Sequence, residues 1–166
     1  METQTPNLET YLKKISIFTD LSDDDRKHVI PFCKLHQFDV NDIIVKQGTH
    51  GNCFYIICEG FVNVAKVRGE NEIFITTLGP HEHFGESALF RDSARIATIK
   101  AQSAGTCVQI NSKDFKHFIH NQPGPASKVL YRMFQQLFER LDTTNRELEI
   151  RRSGDVGQDA IDKLFA

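Results

Sequence analysis

The sequence of 166 residues contains no tryptophan and only two methionines. It also lacks an apolar stretch long enough to cross a membrane, so we expect no membrane-spanning helix and no membrane partner. The first ten residues contain neither a basic region nor an apolar run, and no secretion signal is expected there. With thirteen phenylalanines and no tryptophan, Phe is expected to form much of the core.

An excess of positive charge is also missing. Lys and Arg total 20 while Asp and Glu total 22, which gives a formal charge of −2. Proteins that bind nucleic acid through its phosphates usually have a clear basic surface, so we expect no DNA partner. The 40% of hydrophobic and 25% of charged residues are ordinary for a globular protein of this length.

Cysteine is scarce, and its spacing excludes two common roles. The four residues Cys33, Cys53, Cys58 and Cys107 form no C-x-x-C pair and fit neither a zinc site nor a secreted disulfide framework. We therefore predict buried, reduced thiols, no bound metal and a cytoplasmic location.

The pattern along the chain predicts helices, then strands, then helices. Asn7 and Ser22 are expected to cap two N-terminal helices, with Pro31 ending the second. From Phe38 to Ile110, short runs rich in Val, Ile, Phe and Thr alternate with glycine-containing turns. Such spacing is typical of an antiparallel sandwich or barrel. The predicted strands are residues 43–45, 54–57, 61–67, 73–78, 97–101 and 106–110.

A long helix is predicted after Pro123-Gly124-Pro125, from Ala126 to about Arg151. Its apolar residues repeat at spacings of four and three, a pattern typical of a helix that pairs with a second helix; they are Leu130, Phe134, Leu137, Leu141 and Leu148. We predict a homodimer through residues 126–151, with packing on the chain's own barrel as the alternative. The expected division is residues 1–124, 125–152 and a flexible tail, 153–166, with a linker at Ser153-Gly154-Asp155.

The segment with the clearest chemistry lies between two predicted strands. It reads Phe84-Gly85-Glu86-Ser87-Ala88-Leu89, and Arg95-Ile96-Ala97-Thr98 follows it. These residues resemble the phosphate-binding cassette of the cyclic nucleotide-binding domain family, F-G-E-x-A-L and then R-x-A-[TS], with the Arg nine positions after the Glu. The resemblance extends upstream to Gln47-Gly48, Tyr55-Ile56-Ile57 and Gly60. Asn41 and His81 stand where the family often has Gly.

The resemblance implies a fold and a site. The fold would be mainly β, an antiparallel β-roll or jelly-roll barrel with N-terminal helices and a long C-terminal helix. Arg95 would bind the cyclic phosphate, because a guanidinium can meet two phosphate oxygens with a planar fork. Glu86 would accept from the ribose 2′-hydroxyl. The free N–H groups of Ser87 and Ala88 would face the phosphate, with Gly85 allowing close approach of the backbone.

The resemblance also implies a function. We expect a regulatory protein, not an enzyme, that binds a cyclic nucleotide without any cofactor and signals through its C-terminal helix. Members that prefer cGMP often have Thr directly after the cassette Arg; Ile96 there favours cAMP. Tyr131, Met133 and Phe134 are candidates for capping the base. With no helix-turn-helix domain after the long helix, the chain resembles a stand-alone member or the regulatory region of a larger protein.

Three alternatives stay open on the sequence. His81, His83 and Glu86 loosely resemble a cupin metal motif, which would make the chain a metal-dependent enzyme. The chain could instead be an assembly module whose cassette binds no ligand. Glu86 and Arg95 could also form no more than a surface ion pair.

The end of the chain predicts a protein partner. Ile161, Leu164 and Phe165 recur at helical spacing in an acidic segment. Residues 155–166 also resemble the S-Q-x-E-I-D-x-L-[LF] peptide of the flagellar switch protein, which docks a phosphorylated chemotaxis response regulator. The hypothesis is a docking peptide for a partner of the signalling or chemotaxis type, with a tail that folds back or frays as the alternative.

Overall fold

The computed structural model describes the backbone of residues 8–90 and 93–165 and the side chains of residues 8–90 and 93–152. Two short helices come first, α1 (Leu8–Lys14) and α2 (Asp23–Val29). The predicted cap of α2 is confirmed: the Ser22 hydroxyl accepts from the Asp25 N–H, and the Asp25 carboxylate accepts from the Ser22 N–H. This reciprocal capping box satisfies backbone donors that the first helical turn leaves without partners. Asn7, the predicted cap of α1, lies outside the described residues.

Within the described residues, eight strands follow, arranged in two antiparallel sheets of four strands, which confirms the predicted β-roll. The first sheet has the order β1-β8-β3-β6 and the second β2-β7-β4-β5. The strand bounds are β1 (Cys33–Phe38), β2 (Ile43–Val45), β3 (Cys53–Glu59), β4 (Val62–Arg68), β5 (Asn71–Leu78), β6 (His83–Phe84), β7 (Thr98–Ala101) and β8 (Gly105–Asn111).

The core between the two sheets draws a buried side chain from every strand. Its buried members are Phe38, Val45, Ile57, Val62, Leu78, Phe84, Ile99, Ala101 and Cys107. The first sheet is also buried on its other face, where Phe54 of β3 meets Phe115 edge-to-face at a centroid distance of 5.4 Å. Burial on both faces explains why β3 is almost continuously apolar instead of alternating.

Two strands were not predicted from the sequence. β1 has Lys34, His36 and Gln37 among its residues, and this polar character concealed a strand that pairs along its whole length with β8. β6 is only two residues long and forms because His83 and Phe84 pair with Ile56 and Tyr55 of β3.

Helices follow the last strand: α4 (Ser112–Asn121), capped by the Asn111 side chain, and α5 (Pro123–Phe165); the four-residue α3 (Ser87–Phe90) lies earlier, between β6 and β7. The predicted start of the long helix at Ala126 is wrong. The chain breaks at Gln122, and Pro123 and Pro125 lie in the first turn of α5, where a missing N–H removes no helical hydrogen bond.

The predicted linker at Ser153-Gly154-Asp155 is also wrong, because α5 continues through it to Phe165. A single glycine costs a helix only about 1 kcal/mol, which neighbouring helix-forming residues can offset. The chain divides into two compact units, one up to Leu130 and the other from Tyr131 onward. Among the described residues, no helix has the length and apolar character that crossing a bilayer requires.

The four cysteines are free thiols, and Cys33, Cys53 and Cys107 are buried. Burial raises the pKa of the Cys58 and Cys107 thiols to about 12 and raises that of Cys33 as well. Because the thiolate is the reactive form, we expect Cys58 and Cys107 to alkylate at pH 8 on the order of a thousandfold more slowly than an exposed cysteine. Iodoacetamide labelling followed by peptide mass spectrometry measures this, with the guanidinium-unfolded protein as control. Fast labelling of Cys107 in the native protein would contradict the burial.

Candidate functional site

The site forms where β6 ends and the chain turns into α3. Gly85 follows β6 with a φ of 81°, a left-handed conformation that Gly adopts at little cost. A Cβ at Gly85 would lie 2.8 Å from Nη1 of Arg95 and 3.1 Å from the carbonyl oxygen of Cys53. Glycine is therefore required here both by the backbone conformation and by the close approach of the Arg95 guanidinium.

Arg95 is buried, with only 7% of its surface exposed. Its Nη1 donates to the Gly85 carbonyl at 3.2 Å, and its Nη2 donates to the Cys53 carbonyl at 2.5 Å. These two acceptors bring the end of β6 and the start of β3 to the same side chain.

The backbone of Arg95 is held as firmly as its side chain. Its N–H donates to the Thr49 carbonyl at 2.8 Å, and its carbonyl accepts from the Gly48 N–H, also at 2.8 Å. An isolated bridge between His50 and Ala94 extends the same pairing. The loop of residues 48–51 therefore fixes the position from which the guanidinium enters the site.

Gly51 is a site residue that the sequence analysis counted only as a turn signal. A Cβ at Gly51 would lie 2.7 Å from Nη2 and 2.8 Å from Nε of Arg95. Together with Gly85 it leaves the guanidinium between two residues that have no side chain. No local motif connects Gly51 with a residue 44 positions further along the chain, so nothing in the sequence pattern pointed to it.

The charge of Arg95 has no matching carboxylate among the residues that the structure describes. Among the residues that the structure describes, no carboxylate oxygen lies within 4.0 Å of its guanidinium nitrogens. The alternative of a plain Glu86–Arg95 ion pair is therefore wrong for this structure. A buried cation without a counter-ion is unfavourable unless an anion binds to it, so the geometry fits an anion site.

Glu86 lies directly after Gly85, with 18% of its side chain exposed. Its Oε1 is 2.5 Å from Nδ1 of His83, a residue of β6 with no exposed surface. The Glu86 carboxylate is thus partly accessible to solvent, and one of its oxygens contacts the buried imidazole of His83. The sequence analysis considered His83 only as a metal ligand.

The remaining predicted residues have different roles. Phe84, Ala88 and Leu89 are buried, and Phe84 stacks on Tyr55 with a centroid distance of 5.1 Å, so these three pack the cassette onto the barrel. Half-buried Thr98 accepts through its hydroxyl from the Gln47 N–H. This bond connects β7 to the turn at Gly48, whose N–H donates to the Arg95 carbonyl. Ile96 is 62% exposed. Ser87, directly after Glu86, and Ala97, two residues after Arg95, are half-buried.

One expectation about the cassette backbone is wrong. The Ala88 N–H was expected to point freely at the phosphate, but it donates to the Gly85 carbonyl at 3.1 Å. The turn that begins α3 uses this donor internally.

The cupin alternative finds no support in the described residues, where no three His, Cys, Asp or Glu side chains come together as a metal-binding group. His81 instead occupies a turn with a φ of 74°, and the Glu82 carboxylate accepts from the Gly79 N–H. Asn41, the other residue found where Gly is frequent, has a φ of 73°. Both departures therefore preserve the left-handed turn geometry.

Comparison with known structures supports the same fold. A cyclic nucleotide-binding domain from Methylobacillus flagellatus superposes with a TM-score of 0.73 and 21% identity, covering 82% of this chain and 78% of that one. The catabolite activator protein of Thermus thermophilus gives a TM-score of 0.67 at 23% identity, with 81% and 62% covered. The regulatory domain of Toxoplasma gondii protein kinase A, solved with cAMP, gives 0.58 at 27% identity, with 66% and 42% covered.

The family model of the cyclic nucleotide-binding domain matches residues 35–122, more than half of the sequence. The matched range includes Glu86, Arg95 and both glycines beside the guanidinium. The chain belongs to the cyclic nucleotide-binding domain family.

Proposed function

We propose that this chain is a regulatory protein, not an enzyme, that binds cAMP between Glu86 and Arg95. The observation that supports this most strongly is the buried guanidinium of Arg95, which has no carboxylate partner among the described residues and has glycine on two sides. A cyclic phosphate has one negative charge and two exocyclic oxygens. The phosphate would supply a negative charge beside the Arg95 guanidinium, where Gly51 and Gly85 have no side chains to occupy the space.

The donor count of Arg95 fits such a ligand. A guanidinium has five N–H donors in one plane. Two of them donate to the carbonyls of Cys53 and Gly85, which fix the orientation of that plane. The remaining donors can then meet phosphate oxygens with little loss of side-chain entropy on binding, which favours affinity.

Glu86 is proposed as the acceptor of the ribose 2′-hydroxyl. Glu86 directly follows Gly85, whose carbonyl accepts from the Arg95 guanidinium. Its partly exposed carboxylate therefore lies on the same turn as that carbonyl. An ionised carboxylate has about four acceptor positions and can accept from several donors, His83 and a ribose hydroxyl among them. This pairing of a cation for the phosphate and an acceptor for the ribose selects ribonucleotides.

The choice of cAMP over cGMP rests on Ile96. Its exposed side chain, directly after Arg95, has no group that could bond to the polar edge of guanine. The structure with cAMP mentioned above is a protein kinase A regulatory domain with 27% identity, which supports the same ligand class for this chain.

Titration tests this proposal. We expect cAMP at 100 times its dissociation constant to raise the free energy of unfolding by about 2.7 kcal/mol, since it binds only the folded state. Calorimetry should give weaker binding for cGMP than for cAMP. Ile96→Thr should narrow this difference in affinity by about fivefold, because one hydroxyl hydrogen bond is worth about 1 kcal/mol. Thermal stability of the variant without ligand is the control. Equal affinities of the unmodified chain for both nucleotides would refute the cAMP preference.

A homodimer through residues 126–151 is part of the proposal. Beyond Arg140, every described residue of α5 up to Arg152 is exposed, including Leu141 and Leu148. Exposed Leu and Phe side chains along one helix favour pairing with a second helix. Such pairing would allow ligand occupancy to reach a partner through α5. Two other expectations stay predictions: capping of the base by Tyr131, Met133 or Phe134, and a cytoplasmic location.

The docking peptide also stays a prediction. The backbone of α5 is helical up to Phe165, which agrees with the helical spacing of Ile161, Leu164 and Phe165. The side chains of residues 155–166 lie outside the described residues. A partner of the signalling or chemotaxis type is therefore proposed from the sequence resemblance alone.

A further inference from the structure

The buried imidazole of His83 has a specific contact that core packing does not require. His83 has no exposed surface, although neutral histidine is polar and its neighbours Phe84 and Ile56 are apolar. Its Nδ1 lies 2.5 Å from Oε1 of Glu86, the carboxylate proposed to meet the ribose. The contact therefore connects the interior of the barrel with the nucleotide site.

The backbone around His83 makes this contact rigid. β6 pairs with β3 through Ile56↔His83 and Tyr55↔Phe84, and the ring of Phe84 stacks on that of Tyr55. On either side, the Ile57 N–H donates to the Glu82 carbonyl at 2.9 Å and the His81 N–H donates to the Ile57 carbonyl at 2.8 Å. The backbone that bears the imidazole thus belongs to a paired strand of the first sheet, not to a loop.

A glutamate side chain needs such support if it is to recognise a single hydroxyl. Its three rotatable bonds let an exposed carboxylate adopt many positions, and ordering it on binding lowers affinity. A ring N–H aimed at a carboxylate oxygen restricts the carboxylate and fixes the tautomer of the histidine. The Glu86 carboxylate is then held in a defined orientation.

We propose that His83 is a positioning residue for ribose recognition: it holds the Glu86 carboxylate so that the site distinguishes a ribonucleotide from its 2′-deoxy analogue. The inference rests on the proposed function. It differs from a purely structural role of His83 in one respect. Loss of a structural residue weakens the binding of all ligands alike, whereas loss of a residue that acts through Glu86 weakens only ligands with a 2′-hydroxyl.

The test uses two ligands and three variants of the full chain. Affinities for cAMP and 2′-deoxy-cAMP are measured by calorimetry for the unmodified chain, His83→Phe, His83→Asn and Glu86→Ala. Phe fills the volume of the imidazole without a donor, while the Asn amide can place an N–H close to the position of Nδ1. We expect the unmodified chain to prefer cAMP by about tenfold or more, as for one hydrogen bond to a charged group.

His83→Phe should reduce this preference to that of Glu86→Ala, with the affinity for 2′-deoxy-cAMP within about twofold of the unmodified chain. His83→Asn should recover most of the preference for cAMP over 2′-deoxy-cAMP. If the Phe variant does not fold, the affinities of the Asn variant for the two ligands still test the inference. An unchanged preference in folded His83→Phe, or an equal loss for both ligands, would overturn the inference while leaving the proposed function intact. If the unmodified chain bound neither nucleotide, the proposed function itself would fail.

Discussion

Arg95→Leu is expected to weaken cAMP binding by about a hundredfold or more. The guanidinium is the cation that the structure offers to the phosphate, and two hydrogen bonds to a charged group are worth about 1.5–3 kcal/mol each. Leucine keeps much of the apolar volume and removes a buried charge, so the folded state should persist. Calorimetry with cAMP measures the loss, and circular dichroism checks the fold.

Arg68→Leu is the matched control for this prediction. Arg68 ends β4, is exposed, and undergoes the same chemical change away from the site. It should bind cAMP as the unmodified chain does. Arg95→Lys separates charge from geometry, because an ammonium keeps the charge but not the planar fork and should recover only part of the affinity. A folded Arg95→Leu protein with unchanged affinity would show that the phosphate binds elsewhere.

Leu137→Asp combined with Leu141→Asp is expected to convert the proposed dimer to a monomer. Leu141 is 53% exposed, and both residues belong to the apolar repeat of α5. In a paired helix these positions would be buried, and a carboxylate buried without a partner is strongly unfavourable. Sedimentation equilibrium or light scattering over a range of concentrations measures the change in mass.

The control for this change adds the same two charges outside the repeat. Thr143→Asp with Ile150→Asp places both carboxylates at exposed positions of α5 that do not belong to the spacing of four and three. It should stay dimeric. An unmodified chain that is monomeric at high concentration would disprove pairing through α5 without any variant.

The phosphate-binding cassette shows what a local sequence motif can and cannot predict. Glu86 and Arg95 were singled out because their segment resembles the family's cassette, and the Gly85 turn and the following α3 are local structures that such a motif can specify. The same pattern misjudged the Ala88 N–H, because whether a backbone donor is free depends on which carbonyl the turn places beside it. A motif therefore points to candidate residues, but it does not assign their hydrogen bonds.

The errors in the elements have similar causes. β1 was missed because it is rich in polar residues and its burial does not alternate along the strand, so only its pairing with β8 makes it a strand. The two prolines before Ala126 were taken as a break, yet proline is tolerated in a first helical turn, and the break lies one residue earlier at Gln122. Local propensity cannot decide such boundaries, since the competing conformations differ by little free energy.

By itself, the sequence predicted the order of helices and strands and an antiparallel sandwich or barrel from its periodicity, while the family resemblance supplied the β-roll and the candidate pair Glu86 and Arg95. Only the tertiary structure decided what surrounds that pair. Gly51 and Cys53 reach the Arg95 guanidinium, and the loop at Thr49 fixes its backbone, across more than 40 intervening residues. Such contacts arise from the register between distant strands, a property of the whole packed barrel that no window of sequence contains.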